Sequence, residues 1–208
     1  AREIKTSTEE KIIEPIKNNT NNIFTDAPKY KWILPLMLLS GMNTFTYEVL
    51  WTRLLGHILG GSVAAFSTML ASFLSGIAIG SAIASRFSKI RENSVKVFIF
   101  VQCAIAITSI FVYQYFDYLN PGMGLNSNII IAFSILMPAT LFIGATFPLA
   151  VRMLADNERV AAQASAKVYA WNTFGAIAGA AIAGFFLIPL LKYEGAIKLA
   201  VSINLFIA

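Results

Sequence analysis

Residues 32–55 read WILPLMLLSGMNTFTYEVLWTRLL, and this stretch decides the fold class. Its only charged side chains are Glu48 and Arg53, both in its second half. As an α-helix it would rise about 36 Å, which is enough to cross a hydrocarbon core of about 30 Å. The stretch therefore predicts a membrane-spanning helix.

The composition of the whole chain points the same way. Of its 208 residues, 57% are hydrophobic and 13% are charged, whereas a soluble domain has about 25% charged residues. The mean hydropathy is +0.67. The apolar runs are about 20 residues long, while spanning strands would alternate over segments of about ten. These features exclude an ordinary soluble enzyme and predict an all-α, polytopic helical membrane protein in contact with a lipid bilayer.

The chain divides into a polar N-terminal tail, residues 1–31, and a helical transmembrane domain, residues 32–208. Six apolar runs predict about six spans, at 32–55, 62–87, 95–116, 128–154, 165–191 and 195–208. The sixth run stops at Ala208, which makes it short for a complete span. We therefore expect the sequence to be part of a longer protein.

Lys and Arg residues are distributed unequally at the ends of these runs. Three lie on one side of the predicted membrane, namely Arg53, Lys192 and Lys198. Nine lie on the other side, namely Lys29, Lys31, Arg86, Lys89, Arg91, Lys96, Arg152, Arg159 and Lys167. Since cytoplasmic loops carry the excess of Lys and Arg, the N-terminus is predicted to be cytoplasmic. The formal net charge of +5 is spread over the ends of the runs and forms no patch that would bind nucleic acid.

Small residues recur at every fourth position in the second and fifth spans. Lipid gives helices little reason to hide apolar surface, so close contact comes from small side chains that let the backbones approach. We expect both spans to pack at the centre of the bundle. The predicted helix-packing residues are Ser72, Gly76, Gly80 and Ala84 in the second span, and Gly175, Gly179 and Ala183 in the fifth.

The same two spans resemble each other, since residues 76–87 and 175–186 share six identities in twelve positions. One interpretation is an internal repeat of three plus three helices. An odd number of helices per repeat would invert the second copy, as in many transporters. The other interpretation is that two helices rich in Gly and Ala match because they use few residue types. Pro138 and Pro148 in the fourth span are compatible either with a bent helix that lines a cavity or with plain packing.

Three separated motifs carry a resemblance to a known family. They are Tyr47-Glu48 with Trp51 and Arg53, the run GATFP at 144–148, and Asn172-Thr173 with Gly175-Ala176. Over residues 36–208 the chain is similar to the membrane domain of the bacterial spermidine-synthase-like integral membrane proteins, in which a major-facilitator-like membrane half is fused to an aminopropyltransferase domain. The stretch GSAIASRFSKIR at 80–91 also resembles a cytoplasmic loop of major-facilitator carriers, but Ser85 stands where those carriers usually have Asp.

The resemblance implies a multi-pass protein of the bacterial cytoplasmic (inner) membrane. It also implies a soluble Rossmann-type domain beyond residue 208, which would bind a decarboxylated S-adenosylmethionine-like donor and a polyamine. The 208 residues contain no Gly-rich turn between a strand and a helix and no acidic residue placed for a ribose. We therefore expect no catalysis and no cofactor in this chain.

The charged residues of the first span are the candidate site. Glu48 lies about 24 Å along the helix from Trp32, in the outer part of the bilayer. A charge at the bilayer centre costs at least about 2.5–3.5 kcal/mol, and less near the interface. In a structural interpretation, other helices or the outer turn hold Glu48. In a functional one, Tyr47, Glu48, Trp51 and Arg53 line an outward-facing pocket that binds a cationic polyamine.

The other polar residues indicate no metal site. His57 is the only His of the chain and is interpreted as a solvated or capping residue, and no cluster of Cys or carboxylates accompanies it. Three functions remain open. The chain is an anchoring or substrate-gathering membrane domain for a soluble partner domain, half of a transporter for a small cationic solute, or an accessory subunit that docks through its small-residue faces.

Overall fold

The computed structural model describes residues 30–59, 63–87, 91–116, 124–155 and 158–208. They form the helices α1 (Ile33–Ile58), α2 (Val63–Phe87), α3 (Arg91–Tyr115), α4 (Leu125–Leu154) and α5 (Glu158–Ile182). A π-helical segment, Ala183–Leu187, joins α5 to α6 (Ile188–Ile207). Of the predicted polar tail, residues 1–29 lie outside the described residues.

The all-α prediction is confirmed. Among the described residues, five helical stretches are long and apolar enough to cross a membrane, and the first four correspond to the first four predicted spans. The last stretch, Arg159–Ile207, is 49 residues long and contains both the fifth and the sixth predicted spans. Helices α3, α4 and α5 begin three to seven residues before the predicted spans, as at Glu158 against Ser165. Polar residues at the ends of these helices continue the helix because its hydrogen bonds do not depend on apolar side chains.

Close glycine contacts pair α1 with α5. A Cβ added at Gly175 would overlap the carbonyl oxygen of Leu38, and one at Gly179 would overlap that of Met42. Both helices advance by four residues between these contacts, so they run in the same direction. Only glycine permits this approach, because any larger residue would push the two backbones apart.

A second pair of helices, α2 and α4, is built in the same way. A Cβ at Gly80 would overlap the backbone of Leu141, and one at Gly144 would overlap the backbone of Ile77. Thr140 Oγ1 lies 3.2 Å from the Ser72 carbonyl oxygen and adds a polar contact between the pair. The remaining helix, α3, packs between α4 and α6.

The chain reverses direction at Lys192, inside the stretch 159–207. Lys192 has φ 57° and ψ −174°, which are not helical values. Before this break the chain runs alongside α1, so that Gly184 lies near Arg53. After the break Tyr193 contacts His57, and Asn204 contacts Asn43, about 21 Å back along α1. Residues 193–207 therefore form an arm that packs antiparallel to α1.

The prediction that the second and fifth spans lie at the bundle centre is wrong. In α2, Leu74 and Ile79 are exposed, and in α5 Phe174 and Ile177 are exposed. The most deeply buried large side chains instead include Leu50 and Trp51 of α1 and Leu136, Leu149 and Met153 of α4. Small-residue stripes indicate where two helices touch, and they do not indicate how many other helices surround them.

Helix α4 continues through both of its prolines, Pro138 and Pro148. Each proline removes the N–H that would bond the carbonyl four residues earlier. Thr140 Oγ1 donates to the Met137 carbonyl at 2.9 Å, and Thr146 Oγ1 donates to the Ile143 carbonyl at 2.7 Å. These hydroxyls bond carbonyls within their own turns, so they do not replace the two hydrogen bonds that the prolines remove.

Candidate functional site

Glu48 lies in the C-terminal half of α1 with its side chain half-buried. Its backbone carbonyl accepts a hydrogen bond of 2.7 Å from Thr52 Oγ1. Within the part of the chain that the structure describes, no hydrogen bond or ion pair reaches its carboxylate. Thr44 and Thr52, one turn below and one turn above, are also half-buried and share its face of the helix. This face carries a carboxylate and two hydroxyls.

Tyr47 and Trp51 form an aromatic stack inside the bundle. Their side chains are 1% and 0% exposed, and their ring centroids lie 5.2 Å apart at an interplanar angle of 19°. The Trp51 ring also meets Phe73 of α2, at 5.8 Å between centroids. The Tyr47 hydroxyl accepts a hydrogen bond of 3.3 Å from the side-chain amide of Asn204 in α6. These contacts connect α1 with both α2 and α6.

Arg53 is exposed and points to the π-helical segment. Its Nη2 lies 3.5 Å from the carbonyl oxygen of Gly184. In that segment the N–H of Ile188 bonds the carbonyl of Ala183, five residues earlier. The corresponding partner for Gly184 would be the nitrogen of Pro189, which carries no hydrogen. The guanidinium of Arg53 therefore approaches a carbonyl that the proline leaves without a helical donor.

The four predicted site residues do not come together in one pocket. Successive residues of a helix are 100° apart, so Tyr47 and Trp51 lie about 40° from each other around the axis, while Arg53 lies about 120° from Tyr47. The burial of the aromatic pair and the exposure of Arg53 agree with this geometry. Glu48 lies on a third direction, about 100° from Tyr47. Only Tyr47 and Trp51 contact each other.

His57 contacts the arm that follows the chain reversal. Its Nε2 lies 3.2 Å from the Tyr193 hydroxyl, and the two rings meet edge to face at 6.1 Å between centroids. The sequence analysis interpreted His57 as a solvated or capping residue and did not predict this contact. His57 joins the C-terminal end of α1 to Tyr193, the first residue after Lys192, although the two residues are 136 positions apart in the sequence.

Three buried polar residues were missed in the sequence analysis. The Asn43 amide donates to Asn204 Oδ1 at 2.7 Å and to the Ala200 carbonyl at 2.8 Å. Gln102 of α3 is 0% exposed, and neither of its amide atoms has a hydrogen bond within the described residues. The available signal was an amide side chain inside an apolar run, because such a group needs a partner in lipid.

The predicted helix-packing residues lie at or near helix contacts. Ser72, Gly76, Gly80 and Ala84 of α2 are buried, and Gly76 lies against Thr140 of α4. In the fifth stretch Gly175 and Gly179 lie against α1, and Ala183, which is 0% exposed, begins the π-helical segment. Another glycine contact went unpredicted: Gly41 of α1 lies against the Asn172 backbone.

Among the described residues, no group of three or more His, Cys, Asp or Glu side chains is placed to hold a metal ion. No family model, curated protein or solved structure matches this chain. The resemblance to spermidine-synthase-like membrane proteins therefore stays a prediction. The part of the chain that the structure describes is all-α, with five helical stretches long and apolar enough to cross a membrane.

Proposed function

We propose that this chain is a non-catalytic integral membrane domain that gathers a small cationic, polyamine-like solute at Glu48 for a partner domain. The observation that carries the proposal is the half-buried Glu48 carboxylate, which has no hydrogen-bond or ion-pair partner among the described residues. The proposal includes six membrane-spanning helices, a cytoplasmic N-terminus and a location in the bacterial inner membrane. The sixth helix would be the arm that follows Lys192.

The charge of Glu48 favours a cationic ligand. A carboxylate away from bulk water needs a proton, a cation or hydrogen-bond donors to offset its lost hydration. The nearest basic residue along α1, Arg53, approaches the Gly184 carbonyl instead. A primary ammonium could bond the carboxylate and the hydroxyls of Thr44 and Thr52, which share this face of the helix. This arrangement would select amines over anions and neutral solutes.

The test uses spermidine as the probe and the thermal midpoint of the purified chain in detergent as the readout. At 100 times its dissociation constant, a ligand stabilises the folded state by about 2.7 kcal/mol. We expect spermidine to raise the midpoint of the wild type and to leave that of Glu48→Gln unchanged. Without spermidine the midpoint of Glu48→Gln should be no lower than that of the wild type, because Gln keeps the shape of Glu48 and no ion pair to the described residues is lost.

Glu194→Gln is the matched control, since it removes a carboxylate at the outer end of the last arm, where the side chain is exposed. This variant should keep the response to spermidine. A Glu48→Gln protein that is still stabilised by spermidine would exclude Glu48 as the site. A lower midpoint of Glu48→Gln without ligand, together with no spermidine response in the wild type, would assign Glu48 a structural role. Transfer of a methyl or aminopropyl group by the chain alone would overturn the non-catalytic assignment.

A second function, half of a transporter for the same class of solute, is favoured by the helix pairing. If α1, α2 and α3 correspond to α4, α5 and α6, then the pair α1–α5 corresponds to α4–α2. Both pairs are present in the structure, and in both of them glycines allow the two backbones to come into close contact. The contacts α1–α6 and α4–α3 correspond to each other in the same way. This exchange of partners supports an inverted repeat of three helices, the architecture of many transporters.

Uptake of radiolabelled spermidine into liposomes that contain the protein separates the two functions. If the protein is a transporter, liposomes that contain it should take up more labelled spermidine than empty liposomes do. Glu48→Gln should reduce the rate of uptake. Binding without uptake would favour the gathering domain. Copurification with stoichiometric other chains would instead favour an accessory subunit that docks through its exposed helix faces.

A further inference from the structure

A groove opens between the outer halves of α3 and α6, away from Glu48. It has a volume of about 430 Å³. Ile110 and Gln114 lie on its α3 side, and Glu194, Lys198 and Val201 lie on its α6 side. A volume of this size accommodates a small-molecule headgroup together with part of an alkyl chain.

The outer end of the groove carries both signs of charge. Lys198 Nζ lies 2.6 Å from Glu194 Oε1, and the two side chains are 74% and 64% exposed. The pair follows the favourable order on a helix, with Glu four residues before Lys. Tyr113 and Gln114 of α3 complete this end with a hydroxyl and an amide. The polar end is therefore neutral overall and strongly dipolar.

The inner end of the groove is mostly apolar; Ser202 also lines it, and its hydroxyl donates a hydrogen bond of 2.8 Å to the Lys198 carbonyl. Ile110 lies about one turn deeper than Gln114 on α3, and Val201 lies about 10 Å deeper than Glu194 on α6. Ile197 lines the wall between the polar and the apolar ends. Polarity thus falls from the outer end of the helices towards the membrane interior, as it does along a phospholipid molecule in a leaflet.

We propose that this groove binds one phospholipid of the outer leaflet, with a zwitterionic headgroup that carries a primary ammonium. The phosphate pairs with Lys198, and the ammonium pairs with Glu194. The headgroup dipole then lies antiparallel to that of the ion pair. One acyl chain extends along Ile110 and Val201. An anionic headgroup would bring a second negative charge to Glu194, and a quaternary ammonium could not donate a hydrogen bond to its carboxylate.

The experiment is native mass spectrometry of the full chain released from nanodiscs that contain equal amounts of phosphatidylethanolamine, phosphatidylcholine and phosphatidylglycerol with identical acyl chains. We expect one retained phosphatidylethanolamine per chain. The double variant Glu194→Gln/Lys198→Gln should retain about tenfold less, because a charge-assisted hydrogen bond typically accounts for a factor of ten in affinity. The swapped variant Glu194→Lys/Lys198→Glu keeps both charges in the groove but reverses their order, so a carboxylate would face the phosphate, and this variant should also retain less lipid than the wild type.

Two further variants locate the site. Ile110→Trp fills the apolar end and should also release the lipid, while Lys167→Gln removes an exposed Lys of α5 outside the groove and should not. Circular dichroism and gel filtration establish that each variant is folded before it is scored. Equal retention of the three lipids by the wild type would overturn the proposal. So would unchanged retention by folded Ile110→Trp and by the double Gln variant.

Discussion

Asn43 and Asn204 are joined by a hydrogen bond of 2.7 Å across 161 residues of sequence, between two buried side chains. Asn43 lies in α1, and Asn204 lies in the arm that follows the chain reversal at Lys192. The same pair reaches the hydroxyl of Tyr47 through the Asn204 amide. An amide buried in a membrane protein needs a polar partner, so this contact specifies how the last arm is seated against α1.

The first prediction concerns the energetic coupling of this pair. Asn43→Leu and Asn204→Leu should each lower the free energy of unfolding by about 1–2 kcal/mol, because each leaves the other amide buried without its partner. The double variant should lose less than the sum of the two. Unfolding of the four proteins in mixed micelles measures this double-mutant cycle. Strictly additive losses would show that the two amides do not depend on each other.

The second prediction concerns the glycine contact between α1 and α5. Gly179→Ala places a methyl group on the carbonyl oxygen of Met42, so the two helices must separate. We expect a loss of about 1–3 kcal/mol, the usual cost of overpacking, seen as a lower thermal midpoint. Ala181→Val is the matched control, because Ala181 lies two residues away on the same helix and is exposed. If both variants lose equally, helix contact at Gly179 is not the cause.

The third prediction concerns the turn at Lys192. Its φ of 57° with ψ −174° belongs to a region that glycine adopts and that costs other residues about 1–3 kcal/mol. Lys192→Gly should therefore raise the thermal midpoint, and Lys192→Val should lower it. Lys167→Gly, inside α5, should lower it instead, because glycine destabilises a helix interior by about 0.5–1 kcal/mol. A lower thermal midpoint for Lys192→Gly would contradict the strained backbone conformation at Lys192.

The fourth prediction concerns Gln102, which is buried in α3 without a hydrogen bond among the described residues. Gln102→Leu removes the cost of burying an unpaired amide, so the free energy of unfolding should rise by about 1–2 kcal/mol. Gln114→Leu on the same helix is the control and should change little, since Gln114 is exposed. A large loss of stability in Gln102→Leu would reveal a polar partner that this amide needs.

Much of the helical architecture could be predicted from the sequence alone. The length and composition of residues 32–55 predict a spanning helix, and the structure has α1 at Ile33–Ile58. The same reasoning locates α2, α3 and α4 to within a few residues. The physical reason is that helix hydrogen bonds join residues four apart, and lipid leaves the backbone no alternative partner. Both conditions can be evaluated from a local stretch of sequence.

Tertiary structure decided which neighbours those helices have and what each side chain faces. Tyr47, Glu48 and Arg53 lie within seven consecutive residues, yet Tyr47 stacks inside the bundle, Glu48 is half-buried with no side-chain partner among the described residues, and Arg53 approaches Gly184. The sequence alone also did not reveal the partnership of Asn43 with Asn204. Small-residue stripes identified contact faces but not the pairs α1–α5 and α2–α4. These outcomes depend on contacts between residues more than 60 positions apart. The sequence of one helix does not specify by itself which distant helix will pack against it.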